Sequence, residues 1–366
     1  MKNVIQNTIT NIYKVNFKIK KSESVIVFTD RYSNELTKTA KLITKEGKNF
    51  TKRVAFLKYQ VTGSHGAEPP EALWLKAFSR NVVKELKAKK IFKPLRDKKI
   101  NKASLKEAEK IIKKFKKDSV NIVVALSHYS TTHTNFRRFL TEICKARYAS
   151  MPLFEKRMLK GAMNVDWGKM AERTEKIAQT INKADRVKIR TPNGTHISFS
   201  KRGRKAKADT GIITQKGAYS NLPAGEVYFA PVEGTANGKL ILEWAPTQKL
   251  KSAITITVKN GIAVDVKGKE EYAGFLRKKF SERPENANIA ELGIGTNDKA
   301  SRPDSILETE KILGTIHIAF GDNSSFGGKV STPFHQDYIF FKPTVWMIYK
   351  NGKKRMLINK GRIKEA

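Results

Sequence analysis

The chain has 366 residues, 39% of them hydrophobic, with a single cysteine, Cys144. That length suggests two domains rather than one core, and one cysteine excludes an intramolecular disulfide or a cysteine-rich zinc site. The 72 basic residues against 34 acidic give a net charge of +38, which attracts polyanions without sequence preference. Lysine greatly outnumbers arginine and the charge is spread along the whole chain, so nucleic acid is expected to bind only nonspecifically.

The opening segment, MKNVIQNTITNIYKVNF, is polar and lacks the apolar core of a signal peptide. No stretch approaches the roughly 20 apolar residues that span a bilayer. The expectation is a cytoplasmic protein with no membrane association. Residues 22–63 read as strand, helix, strand. Val25–Phe28 is a β-branched run, Thr29-Asp30 a turn and N-cap, and Ser33–Thr44 has apolar residues at helical spacing. Val54–Leu57 is the next strand, and Pro69-Pro70 opens one helix over Glu71–Leu86. Ser104-Leu-Lys-Glu107 matches a capping box ahead of a lysine-rich helix. Val120–Leu126 is the strongest buried strand of the N-terminal half. Strands alternating with helices predict a mainly parallel sheet in an N-terminal α/β domain, residues 1–165.

His128 and His133 follow that strand among Ser130, Thr131, Thr132 and Thr134. No carboxylate accompanies them, so a capped helix start is favoured over a ligand site. A helix over Asp166–Asn182 opens the second domain, residues 166–366, a strand-rich α+β unit. Val187–Arg190, a Thr191–Gly194 turn and His196–Ser200 form a hairpin in which His196 points outward. Asp209-Thr-Gly211 is a polar turn placed to approach a site. Further strands are predicted at 227–230, 238–244, 253–258, 262–266, 288–293, 315–320 and 338–341, with a helix at 270–281 and a last hairpin turning at Asn351-Gly352.

Five ligand-type residues fall within or beside apolar strands of this second domain: Glu226, Glu291, His317, His335 and Asp337. A carboxylate between Ala290 and Leu292 needs a partner or a metal if buried. His335 and Asp337, two residues apart, share a face if extended. The Gly321–Gly328 stretch lets the backbone turn tightly between the two histidine segments. Five mixed oxygen and nitrogen donors suit one closed site or two divalent ions sharing a carboxylate. Serine-hydrolase, P-loop, dinucleotide and HExxH motifs are all absent.

NLPAGEVYFAPVEGTANGKLIL, ELGIGTN, the EK-x-x-GTIHIAFG segment and H-x-D occur in this order. Together with RYASMP, VDWGKMAERT and TPNGTHISFS, they resemble the thermophilic-type metalloaminopeptidases (aminopeptidase T, aminopeptidase S and PepS). The resemblance implies a two-domain, homodimeric exopeptidase that removes N-terminal residues from peptides. It implies Glu226, Glu291, His317, His335 and Asp337 as ligands of one or two divalent ions (zinc, cobalt, manganese or magnesium), with Glu291 as catalytic base. It also implies a phenol after GTIHIAFG, where this chain has Ser324 and Phe326, leaving Tyr338 as the nearest replacement. Two alternatives stand beside this reading. One is a ring-opening dioxygenase on the same fold, with two histidines and an aspartate on non-haem iron; the presence of both Glu226 and Glu291 weighs against it. The other is a polyanion-binding protein that keeps a vestigial site.

Overall fold

Continuous apolar runs suit a parallel sheet, because helices cover both of its faces. In the computed structural model, which describes residues 2–364, such runs build a five-stranded parallel sheet. Its order is Val54–Tyr59, Val25–Asp30, Ile122–Ala125, Arg147–Ser150, Tyr219–Asn221. Ile26, Phe28, Val123 and Ala125 face an apolar cluster with Trp74, Phe78, Phe136 and Phe139, and the alternate residues Val25, Val27, Ile122 and Val124 are equally buried. This sheet belongs to the first of two compact units, Met1–Trp167 with Gly211–Pro223; the second comprises Gly168–Thr210 with Ala224–Ala366. No helix among the described residues is long and apolar enough to cross a membrane.

The first unit departs from the sequence reading where polar residues compete for helix ends. The polar N-terminal segment is a helix, Lys2–Asn11, running into a π-turn, Ile12–Asn16. Ile9, Ile12 and Tyr13 supply its buried stripe, and the Tyr13 hydroxyl donates to the Ile43 carbonyl at 2.8 Å. Asp30 ends a strand and caps nothing; the cap of Asn34–Gly47 is Ser33, whose Oγ accepts from Leu36 N. The single helix expected over Glu71–Leu86 is two, Glu71–Ala77 and Arg80–Ala88, because Ser79 leaves helical geometry (φ 151°) and caps the second. Ser104 lies inside its helix: Asn101 caps Lys102–Lys114, and Glu107 pairs with Lys89 instead of closing a box. Thr134 caps Asn135–Arg138, while the His128 ring stacks on Tyr32.

The second unit is built from two antiparallel sheets. Eight strands follow the order Ile262–Lys267, Gln248–Lys259, Asn237–Ala245, His196–Ser200, Arg186–Arg190, Thr344–Ile348, Lys354–Asn359, Arg362–Ile363. Five more follow the order His335–Phe340, Ile316–Gly321, Ile289–Gly295, Glu226–Phe229, Lys207–Asp209. One apolar core takes Ile189, Phe199, Leu240 and Ile256 from the first sheet and Phe229, Leu292, Ile318 and Phe340 from the second. Sheets that share a core in this way alternate inward apolar residues with outward ones, so the outward face of the five-stranded sheet is free to carry other chemistry. The fold is mixed α/β, with a parallel N-terminal sheet and antiparallel, strand-rich C-terminal sheets.

The Glu271–Glu282 helix carries Gly274, where an added Cβ would meet nothing nearer than the Arg277 guanidinium at 3.9 Å. Gly274→Ala is therefore expected to stabilise the protein by about 0.5–1 kcal/mol through helix propensity alone. Chemical denaturation should show a raised midpoint with an unchanged slope.

Candidate metal centre

Strand alternation decides which side chains meet. On Ile289–Gly295, Ile289, Leu292 and Ile294 enter the core; on Ile316–Gly321, Ile316, Ile318 and Phe320 do the same. Their alternates occupy the opposite face. Register places Glu291 across from Ala319, which lies across from Asp337. Gly293 lies across from His317, Gly321 from His335, and Gly295 from Glu226. Bulky ligands thus interleave with Ala and Gly across three strand boundaries. All five residues singled out in the sequence lie on this face.

Two triplets result, Glu226–Glu291–His317 and Glu291–His335–Asp337, each with donor atoms within 4.8 Å of one another. His317 Nε2 stands 3.4 Å from both Glu226 Oε2 and Glu291 Oε1. His335 Nε2 stands 3.5 Å from both Glu291 Oε2 and Asp337 Oδ2. These separations lie at the long end of the hydrogen-bond range, and His317 Nε2 is hydrogen-bonded to Glu291 Oε1. They match ligands about 2.1 Å from a shared ion, which stand roughly 3.0–3.4 Å apart at octahedral to tetrahedral angles.

The surroundings aim these groups. His335 Nδ1 donates to the Asp322 carbonyl at 2.7 Å. That bond fixes the ring orientation and directs Nε2 at the carboxylates, as outer-shell carbonyls do for metal-binding histidines. The Gly-rich turn holds Asp322 in place: its carboxylate accepts from Ser324 N and Thr332 N, and Asn323 Oδ1 accepts from Val330 N. Gly225 (φ +115°) admits the chain to Glu226 beside Asn297, whose Nδ2 donates to the Ala224 carbonyl at 2.9 Å. Tyr228, two residues from Glu226, meets Phe326 edge to face at 5.7 Å, and Phe326 meets the His335 ring at 6.0 Å. Asp209 lies opposite Glu226 on the neighbouring strand.

Sequence reasoning missed three contributors. Lys311 is fully buried, with Nζ 3.0 Å from Glu226 Oε1 and in contact with Glu310. Gly293 leaves the space that the His317 ring fills. Tyr228, two residues from Glu226 and across from Gly293, puts a phenol on the same face of the sheet. The signals were present: the Glu-Lys pair before GTIHIAFG, a glycine within an apolar strand, and a tyrosine two places after a ligand-type glutamate. Tyr338 does not serve as that phenol; it enters the core, and its hydroxyl bonds that of Tyr272 at 2.8 Å. His196 is exposed on the other sheet, as expected.

The electrostatics call for a cation. Burial alone would lower the His317 pKa, but the hydrogen bond to Glu291 and the charges of Asp337 and Glu226 raise it to about 9. His335 is likewise raised, its burial outweighed chiefly by Asp337. Burial would raise Asp337 and Glu291, yet the histidines hold both carboxyls below their usual range. Protonated imidazoles here supply the positive charge that a metal ion would bring, since metal binding displaces such protons. Asp337 Oδ1 and His317 Nδ1 are buried and hydrogen-bond to no described group. Buried ligand-type atoms without partners are rare in a finished polar network. Two imidazoles with carboxylates match the donor preference of iron(II) and its neighbours, so the residues fit a divalent ion.

Such a fold and donor set define a candidate divalent-metal protein. The model of the NicX family, 2,5-dihydroxypyridine 5,6-dioxygenase, matches residues 75–363, and the chain belongs to that family. The solved structure of 2,5-dihydroxypyridine dioxygenase from Pseudomonas putida is similar at a TM-score of 0.72 and 16% identity, over 99% of this chain and 97% of that one. AmpT from Thermus thermophilus is similar at a TM-score of 0.57 and 15% identity, over 99% of each chain. At these identities the likenesses show a shared fold. No curated protein sequence matches.

These findings correct the aminopeptidase reading. The family match is to a dioxygenase and not to a peptide hydrolase, so the aminopeptidase activity is set aside. The resemblance to aminopeptidase T is one of fold. The argument that Glu226 and Glu291 together imply hydrolysis fails for a physical reason: Glu226 already has a counter-ion in Lys311.

Proposed function

We propose that this protein is a metal-dependent dioxygenase that opens a hydroxylated pyridine ring, with Glu291, His335 and Asp337 holding one iron(II) and His317 seated against Glu291. The observation that carries this reading is the family match over residues 75–363, which spans all four of these residues. When bound, iron(II) supplies the one-electron chemistry that lets a spin-paired aromatic ring react with dioxygen.

The chain's own groups do the rest. His335, locked by its bond to the Asp322 carbonyl, presents Nε2 in one orientation. Asp337 Oδ2 faces His335 Nε2, and its buried Oδ1, which no described donor satisfies, keeps its lone pairs available. Phe326 lies beside the His335 ring and Tyr228 packs against Phe326 in turn, a surface suited to packing a flat heterocycle. Lys207, across from Tyr228, lies within the electrostatic reach of Glu291 and can meet an anionic oxygen on the ring.

The test is direct. The purified protein is loaded anaerobically with iron(II), given 2,5-dihydroxypyridine, and exposed to oxygen. Ring absorbance should fall as oxygen is consumed in equal amount. Absence of both at saturating iron(II) would overturn the proposal.

A further inference from the structure

Two overlapping triplets that share Glu291 look like the frame of a two-ion site. Lys311 changes that. Its ammonium is fully buried, touches Glu226 Oε1 at 3.0 Å and contacts Glu310. The other Glu226 oxygen is the one that faces His317 Nε2, at 3.4 Å. Any ion held by the Glu226–Glu291–His317 triplet would sit against the same carboxylate as this ammonium. Like charges that close in a water-poor interior repel strongly. Among the described residues no lysine pairs directly with the Glu291–His335–Asp337 triplet; Lys311 and Lys207 reach Asp337 and Glu291 only at longer range.

We infer that Lys311 stands in for a second metal ion: it neutralises Glu226 and restricts the cluster to one divalent ion, bound on the His335–Asp337 side. The inference rests on the metal-centre reading above but not on the reaction assigned to it. Lys311 is a positioning residue; it sets the number of ions.

Ion counting tests this without any assay of turnover. The full-length protein is dialysed against manganese(II), and bound metal is counted per chain. Wild type should bind one ion. Lys311→Met, which keeps the stem and removes the charge, should bind two. Lys311→Met with Glu226→Gln, which neutralises both partners, should return to one, because the second ion then lacks its carboxylate. Two ions in wild type, or one in a folded Lys311→Met, would overturn the inference. No ion in wild type would overturn the metal centre itself, which separates the two failures. If Lys311→Met does not fold, the double variant, which leaves only the partly exposed Glu310 without its lysine, and the wild-type count still decide: two ions in either would overturn the inference.

Discussion

His335→Ala and Asp337→Ala are each expected to lose bound metal and turnover together while the protein stays folded. Both side chains leave one strand on the face opposite the core. His335 Nε2 and Asp337 Oδ2 stand 3.5 Å apart, and each lies close to the carboxylate or imidazole of a neighbour. Outer-shell partners of metal ligands are typically worth 10–100-fold in affinity, so removing a direct ligand should cost more than about 100-fold. Neither deletion opens a cavity in the apolar core, because neither residue belongs to it. The metal-free protein should stay folded with a lowered thermal midpoint, because each deletion breaks a partly buried ion pair and leaves the core packing intact. His196→Ala is the control: an exposed residue on the other sheet, whose ring contacts only the Gly194 carbonyl two residues away. Metal content, turnover and far-UV circular dichroism decide the matter. Near-normal metal and turnover in His335→Ala, or equal damage from His196→Ala, would show that this strand is not the centre.

The parts of this molecule that were legible in the sequence are those governed by period. Val25–Phe28 and Val120–Leu126 read as buried strands because continuous β-branched runs have few other homes. His317 stood out because an imidazole between two isoleucines must either be satisfied in a core or be turned away from it, and the structure shows the second. His335 and Asp337 were legible as a pair because two-residue spacing survives any error in strand boundary. What was not legible depends on contacts between distant segments. Ser104 and Glu107 form a good capping box on paper, but Asn101 caps first and Lys89 takes the glutamate. Lys311 reads as one more lysine in a chain with a +38 charge; only the fold shows that it lies between Glu226 and Glu310.

The reaction was the least legible property. Motif order and ligand set point to a fold used by both aminopeptidase T and the pyridine dioxygenase, and fold alone does not choose between chemistries. Counting carboxylates gave the wrong answer because it set Glu226 and Glu291 against an iron triad without asking which cations they already face, and Glu226 faces Lys311. The relevant quantity is the number of anions left after internal cations are assigned, and a buried lysine removes one of them.

Gly293→Ala should produce the second large effect, through a residue that touches no metal. Gly293 faces His317 across paired strands, and a Cβ built on it would fall 1.9 Å from His317 Nε2 and 2.0 Å from Cε1. No atom can occupy that position while the ring keeps its place. The Gly293 backbone is ordinary strand, outside the left-handed region, so alanine meets no conformational barrier of its own. The conflict therefore falls on the imidazole. His317 is buried and cannot swing outward without displacing neighbours, and overpacking of this kind typically costs about 1–3 kcal/mol. The atom driven from its position is the one that faces Glu226 and Glu291. Gly293→Ala is thus expected to weaken metal binding by about 10–100-fold, on the scale of an outer-shell change. It should also lower the thermal midpoint by roughly 2–4 °C for each kcal/mol lost. Titration calorimetry with manganese(II) and a thermal melt check both effects on one sample. The variant Gly274→Ala, the same substitution at an open helical position, should show neither loss. Wild-type affinity and stability in Gly293→Ala would mean that the ring is free to move, and that the close fit of glycine to histidine does not set the geometry of the centre.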